Sequence, residues 1–551
     1  MQGKSEDRKP CDLVMKGGIT SGVVYPSAII ELAKTYRFEN IGGTSAGAIA
    51  AGVTAAAEYG RRKRGYDELP GMAKVQRQLT APGFVRDMFQ PARDARPAFD
   101  VLMCLGDKRS GRVRRGLRAL GTLLSREPLA PVVALAIAGS LTAVAIVGGS
   151  FDEWGEIALL VTGGLALTIF CVALAVGGAA WMAFDQLRES LEDNFYGICP
   201  GERLTAWLHE TIQDCAGLEL DDPLTFAMLK DAGVGLEMMT TDLSYARPVR
   251  LPIAEENSYG FNPDEMRRLF PRPVVHRMMR DNEPGHNFFP TADLPVVVAV
   301  RLSLSFPLLM SAVRLWSPHP TKPGEVMENW FSDGGISSNF PIHFFDSWYP
   351  GRPTFGLDLQ KFPDWNGDTR PVHLPTAEEA KPHPHWTRVE GFTGLARQIM
   401  DVARNWRDSL QSELPGFRDR VCQVRLHGYE GGLNLDMPEE TIKGLIARGA
   451  EAGREINRSF DWEAHLLTRY LTLMQKLEGN LHDVETKFDG IPECDAWKAG
   501  HDEKWRELAK QETDKLLAIA KEWGRPPEKE VGFDLGHEPK PDPVMRVTPR
   551  A

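Results

Sequence analysis

The segment Gly42-Gly43-Thr44-Ser45-Ala46-Gly47 constrains this 551-residue chain more than any other. Residues 38–42 read as a short strand, and residues 46–57 are almost all small. Glycines on both sides of Ser45 permit a strand-to-helix turn so tight that the hydroxyl stands out from it, the shape of a nucleophile elbow. A helix of small residues packs closely beneath a sheet, as such an elbow requires. Far downstream, Asp333-Gly334-Gly335 sets a carboxylate on a glycine-flanked turn, with little bulk to block its approach to a partner. Ser45 is the candidate nucleophile and Asp333 a carboxylate free to approach a partner, with Gly43, Gly47, Gly334 and Gly335 supporting the two turns.

The surrounding pattern is α/β. Residues 12–15 read as a buried strand ending at Lys16-Gly17-Gly18, 23–33 as a helix, and 38–42 as the strand that enters the elbow. This strand–helix–strand–helix order predicts a mainly parallel sheet. Beyond Pro200 the pattern resumes, with strands expected at 233–240, 294–300, 354–359 and 421–426. A capped helix is expected at 434–456 and an apolar-striped helix at 462–477.

Between the two halves the composition changes. Residues 61–126 are basic and irregular, and two apolar runs follow at 129–149 and 157–184. Each exceeds the ~20 residues that cross a hydrocarbon core. The link Ser150-Phe151-Asp152-Glu153-Trp154-Gly155-Glu156 is short and acidic, while Lys108, Arg109, Arg112, Arg114, Arg115, Arg118 and Arg126 precede the first run. The positive-inside bias predicts a two-helix transmembrane hairpin with both flanks in the cytosol. Two spans return the chain to its starting side, so Ser45 and Asp333 can meet; one span would forbid it. The other reading of these runs is a buried helical hairpin.

Net charge of −11 argues against broad nucleic-acid binding. Seven scattered cysteines, with no two spaced as paired metal ligands, read as reduced thiols. The polar, charged first ten residues do not read as a signal peptide. No metal or cofactor is called for, and the oligomeric state is left open.

A serine needs a base to take its proton, and in most serine hydrolases that base is a histidine held by a carboxylate. No histidine here stands out by its setting. His343 sits in Pro341-Ile342-His343-Phe344-Phe345, which looks like the start of a packed helix, and His276, His286 and His319 sit in loop-like stretches. At this point the chain resembles the patatin-like phospholipases, which use a Ser–Asp dyad without histidine. Gly17-Gly18-Ile19-Thr20-Ser21-Gly22 is similar to that family's oxyanion loop, Gly43 to Gly47 to its elbow, and Asp333-Gly334-Gly335 with Asn339 and Pro341 to its aspartate block. Arg301-Leu302-Ser303-Leu304-Ser305-Phe306-Pro307 is similar to the stretch preceding that block. The likeness covers about 11–59 and 194–359, and weakens toward 460. It departs at Ile19 and Ser21, where the family usually has a third glycine and a basic residue; Lys16 either supplies the missing charge or is a solvated surface lysine.

The resemblance implies a three-layer sandwich around a mainly parallel sheet, interrupted by the hairpin. Its catalytic domain would begin at 11–60, with Gly22 supporting the loop. A basic linker or lid would follow at 61–127 and the hairpin at 128–185. The rest of the catalytic domain would occupy 190–470, then a helical extension 471–524 and a disordered tail 525–551. It implies Ser45 and Asp333 as catalytic pair and the N–H groups of Gly17, Gly18 and Ile19 as oxyanion hole. The expected function is a membrane-anchored, bacterial-type hydrolase of phospholipid or lysophospholipid acyl esters, with the bilayer held through 128–185. The expected location is the bacterial inner membrane, with the catalytic domain facing the cytoplasm. An esterase or thioesterase on smaller acyl donors, or a non-catalytic membrane scaffold, remain the alternatives.

Overall fold

The structure is a computed structural model. It describes residues 8–96, 99–100, 103, scattered positions between 162 and 185, 187–279, 287–362, 369–376, 388–389, 391–432, 434–488, 490–491 and 502–523. The first apolar run and the tail fall wholly outside those residues and most of the second run does, so the expected hairpin lies outside them too. Among the described residues, no helix is long and apolar enough to cross a membrane.

Strand β1 (Lys9–Met15) is followed by a short 3-10 turn (Ser21–Val24) and helix α1 (Tyr25–Leu32). Strand β2 (Tyr36–Gly43) runs into α2 (Ala46–Arg64), with only Thr44 and Ser45 between them. Helices α3 (Met72–Thr80) and α4 (Phe84–Met88) come next, so the start of the stretch expected to be irregular is in fact helical. β3 (Gly197–Cys199), α5 (Glu202–Ala216), β4 (Gly235–Asp242) and β5 (Arg247–Leu251) follow. Then come α6 (Val296–Ser303), β6 (Leu308–Met310), β7 (Val313–Pro318), β8 (Val326–Ser332) and β9 (Thr354–Lys361). The remainder comprises β10 (Val372–His373), α7 (Gly391–Ser412), β11 (Val421–Leu426), α8 (Glu439–Ser459), α9 (Trp462–Lys487) and α10 (Glu503–Trp523).

Nine strands form one sheet in the order β10-β11-β9-β1-β2-β4-β8-β7, with β5 also on β4. The centre, β11-β9-β1-β2-β4, is parallel, while β10, β5, β8 and β7 join antiparallel. The sheet is therefore mixed, and the parallel expectation holds for its middle. β1 is buried over five successive residues and β9 over six, so both faces of the centre are covered.

One expected strand is a helix. Val296–Ser303 is entirely buried and, apart from Arg301 and Ser303, apolar, with Pro295 as its N-cap. A short, fully buried apolar run carries no periodicity that separates helix from strand. This helix matters, because its C-terminal end reaches the site.

Candidate active site

Ser45 occupies the two-residue turn between β2 and α2 with φ 55° and ψ −130°, a conformation non-glycine residues seldom adopt. Such backbone strain costs on the order of 1–3 kcal/mol and persists only where its surroundings enforce it. Thr44 Oγ1 donates to Asn339 O at 3.0 Å, Ser45 N–H donates to Ser303 Oγ at 3.1 Å, and Gly47 N–H donates to Thr44 O at 2.8 Å. The flanking glycines are needed for close approach. A Cβ on Gly47 would collide with Met15 O and lie 2.9 Å from Lys16 O, and one on Gly43 would collide with Gly47 O. Gly47→Ala is therefore expected to destabilise the fold by about 1–3 kcal/mol and to misplace Ser45. Thermal unfolding alongside ester hydrolysis checks this; a variant unchanged in both would remove the packing argument.

Asp333 follows β8 and caps a 3-10 turn, Gly334–Ile336, with Oδ1 accepting the Gly335 N–H at 2.7 Å. Its own N–H donates to Ser305 O at 2.9 Å, and Thr241 Oγ1 donates to Asp333 O at 2.9 Å. Gly334 has no room for a side chain, because a Cβ there would strike Met239 O. One short segment thus registers both groups: Ser303 holds the serine's N–H and Ser305 holds the aspartate's. Arg301 stiffens that segment from inside, donating to Ser305 Oγ at 2.6 Å and Ser311 O at 2.8 Å. Burial pushes the Arg301 guanidinium down to about 10.

Burial raises the Asp333 carboxyl from its ordinary value to about 6, against the opposing effects of the Ser45 hydroxyl, the Arg404 guanidinium and the Gly335 N–H. Its Oδ2 is buried without a well-aligned hydrogen-bond partner. The hydroxyl and carboxyl are thus within influence of each other without a tight bond, as is common in catalytic pairs before substrate binds. Among the described residues, no histidine is one of the groups that shift this carboxyl. Ser45 and Asp333 are each only 1% exposed. The motif leads one to expect an elbow serine that stands clear; instead the Gly17 loop, Ser303 and Asn339 surround it.

The loop expected to supply the oxyanion hole lies against the serine, since a Cβ on Gly17 would stand 2.9 Å from Ser45 Cβ. Gly17 N–H, however, donates to Asn339 O at 2.8 Å and is already used. Among the described residues, the N–H groups of Gly18 and Ile19 have no acceptor. Neither does that of Ala46, the first residue of α2, where a helix leaves its N–H groups unpaired. The Gly17 N–H is thus taken up as a brace, leaving those of Gly18, Ile19 and Ala46 unpaired, the last a group that the motif does not single out. Gly22 packs toward Ala46, whose Cβ a methyl on Gly22 would approach to 3.3 Å. Lys16 is neither solvated nor turned to the site: Nζ pairs with Asp358 Oδ1 at 2.7 Å, both side chains largely buried. Ser21, standing where the family usually has a basic residue, is buried.

Behind the aspartate loop, α7 supplies groups that no motif announces. Arg404 Nε donates to Gly335 O at 3.2 Å, and Asn405 Oδ1 accepts from Asn339 Nδ2 at 3.2 Å. Asp408 accepts the N–H groups of Asn339 and Phe340 at 2.6 and 2.8 Å and the Ser338 hydroxyl at 3.0 Å. Their sequence distance from Asp333 hides them, and nothing in local pattern could find them. His343 lies on a turn, not a helix, with its ring edge-on to Phe344; His276 lies on the helix Arg272–Met279, not a loop. His319 follows β7 in a loop, and His286 is outside the described residues. Among the described residues, no group of three or more His, Cys, Asp or Glu is placed to hold a metal ion.

An apolar cleft with about 740 Å³ of empty space, part of it open to solvent, begins at Ile19, Gly22 and Ala46. Its walls come from α2 (Ile49, Ala50), α3 (Val75, Leu79) and α4 (Phe84, Met88), with Trp207 of α5.

The comparisons agree with this geometry at the level of family. The patatin-like phospholipase family matches residues 13–346. A protein of Rhizobium meliloti (strain 1021) described as "RpoH suppressor" is 34% identical, over 98% of this chain and 99% of its own length. Against the crystal structure of VipD from Legionella pneumophila the TM-score is 0.29 at 13% identity, covering 94% of this chain and 86% of that one, too loose a likeness to argue from. The match over well more than half of the sequence, together with the relative spanning nearly all of it, makes this chain a member of the patatin-like phospholipase family.

Proposed function

We propose that this lipid acyl hydrolase works through Ser45 and Asp333 on the fatty-acyl esters of phospholipids or lysophospholipids. Asp333 takes the hydroxyl proton as Ser45 attacks the acyl carbonyl, forming a tetrahedral oxyanion. The N–H groups of Gly18, Ile19 and Ala46 receive that charge; losing one such donor typically costs about 10²–10³ in rate. Collapse of the intermediate expels the alcohol, whose oxygen takes the proton back from Asp333, and leaves an acyl-serine beside the regenerated carboxylate. Water activated by the same carboxylate then attacks the acyl-serine, and the fatty acid departs. A carboxylate raised to about 6 is a better base near neutral pH than an ordinary one near ~4.

The observation that carries the substrate class is the apolar cleft beginning beside the nucleophile at Ala46. Its walls are apolar throughout, so a fatty-acyl chain gains from burial there while polar substrates would gain nothing. Membrane anchoring through the apolar runs 129–149 and 157–184 belongs to the same proposal, because a tether keeps the site within reach of lipid.

The test compares long-chain phospholipid, lysophospholipid and a short soluble ester with the wild type and Ala50→Phe, which narrows the cleft. The wild type is expected to prefer long acyl chains. Ala50→Phe is expected to lower kcat/KM on long chains roughly tenfold or more while changing the short ester by no more than about threefold. Equal handling of all chain lengths by both proteins would favour an esterase of small acyl donors.

A further inference from the structure

The carbonyl of Asn339 ties two parts of the site together. It accepts from Gly17 N–H at 2.8 Å and from Thr44 Oγ1 at 3.0 Å, so one oxygen carries both the glycine loop and the elbow. The opposite edge of the same peptide unit is the N–H of Phe340, which donates to Asp408 Oδ2 at 2.8 Å. A peptide unit is planar and stiff, with its C=O and N–H pointing opposite ways. Whatever holds the Phe340 N–H therefore sets the direction of the Asn339 carbonyl.

Asp408 is only 3% exposed. Its Oδ2 also accepts the Asn339 N–H at 2.6 Å, and its Oδ1 accepts the Ser338 hydroxyl at 3.0 Å. Three successive residues of the aspartate block are thus gripped by one side chain. Hydrogen bonds joined through a peptide unit polarise one another, so the bond at Phe340 N–H also makes the Asn339 carbonyl a better acceptor. The carboxyl comes from α7, beyond the residues 13–346 that the family accounts for. Neither Asp408 nor Ser338, Asn339 or Phe340 lines the apolar cleft.

We propose that Asp408 is a positioning residue for acyl transfer, fixing the glycine loop and the nucleophile elbow against each other through the Asn339–Phe340 peptide. The proposal rests on the hydrolase reading above and adds to it a residue from outside the family's motifs. With that peptide held, Gly17 is held, and the N–H groups of Gly18 and Ile19 that follow keep their direction toward the oxyanion. Thr44 is held by the same oxygen, and the strained turn at Ser45 keeps its place. Release of the peptide loosens both while leaving the walls of the cleft as they are, so the loss falls on kcat rather than on KM.

The test compares wild type, Asp408→Ala and Asp408→Asn in the full chain. Asp408→Asn keeps the pattern, with Oδ1 accepting the two N–H groups and Nδ2 donating to the Ser338 hydroxyl, whereas Asp408→Ala leaves both N–H groups without an acceptor. Asp408→Ala is expected to lower kcat on a long-chain ester by about 10²-fold, the size of losing an oxyanion donor, with KM within about threefold of wild type. A fluorophosphonate ester should label it correspondingly more slowly but to the same final extent. Asp408→Asn should recover both rates to within about fivefold of wild type. Amide hydrogen exchange in Asp408→Ala is expected to quicken at residues 16–22 and 44–47 and not in α5. The proposal is overturned if Asp408→Ala turns over and labels as wild type does, or if Asp408→Asn is as slow as Asp408→Ala. It is equally overturned if labelling stops at a smaller final extent, or if exchange quickens in α5 as well, either of which would make Asp408 a support of the whole fold. Should the wild type neither cleave nor label, the hydrolase reading fails, and hydrogen exchange alone decides whether Asp408 holds the two loops.

Discussion

Ser45→Ala and Asp333→Asn are each expected to lower acyl-ester turnover by about 10⁴-fold or more, with substrate binding in the cleft retained. Losses of this size follow removal of a nucleophile or of the group that manages its proton. The double variant is expected to be no worse than either single one, since the two act as a unit. The reactive form of Asp333 is the carboxylate. Turnover should therefore climb about tenfold per pH unit below 6 and level off above it, in line with a carboxyl raised to about 6. Steady-state kinetics from pH 4.5 to 8.5 check this. A break near pH 4, or a single variant within tenfold of wild type, would point to another base.

Asp333→Asn carries a second expected result of opposite sign: a more stable protein. The buried carboxyl holds its proton up to about 6, whereas the unfolded chain releases it near the ordinary 3.8. Folding therefore favours the protonated form. The stability associated with this group is full below about pH 4, falls as pH rises to about 6, and stays low above it. Burying the ionised form rather than the neutral one thus costs roughly 3 kcal/mol. Asparagine keeps an oxygen for the Gly335 N–H without burying a charge, so the variant should exceed wild type by about that amount at pH 8 and match it near pH 4. Urea unfolding at the two pH values measures the difference. A variant less stable at pH 8, or a gap independent of pH, would show that the carboxylate is not strained by its burial.

Much of this architecture is legible in the sequence because the decisive residues have strong local constraints. The elbow reads from sequence since only glycine tolerates the approach of Gly47 to Met15 O, and β11 spans 421–426, the bounds expected of it. Helix α2 begins at Ala46, right after the elbow, but runs on to Arg64, past the end of the small-residue stretch, because its basic last turn suits a helix C-terminus. α6 reads as a strand and folds as a helix, because a short buried run such as Val296 to Val300 looks alike in either form. α3 and α4 escape the sequence pattern because basic residues mask short amphipathic stretches that wall the cleft. The bracing of the site is invisible for a different reason. Ser303, Asn339, Arg404 and Asp408 reach it through contacts tens to hundreds of residues apart, and the occupation of Gly17 N–H depends on Asn339 O, a backbone atom. Such pairings belong to the fold and leave no trace in a motif.

The most direct measurement is the position of the adduct formed by a fluorophosphonate ester, read by peptide mass spectrometry on the full chain. The adduct is expected on Ser45, absent from Ser45→Ala, and formed far more slowly in Asp333→Asn. A protein that hydrolyses acyl esters while carrying the adduct on another residue, or labelling Ser45 just as fast without Asp333, would contradict the account.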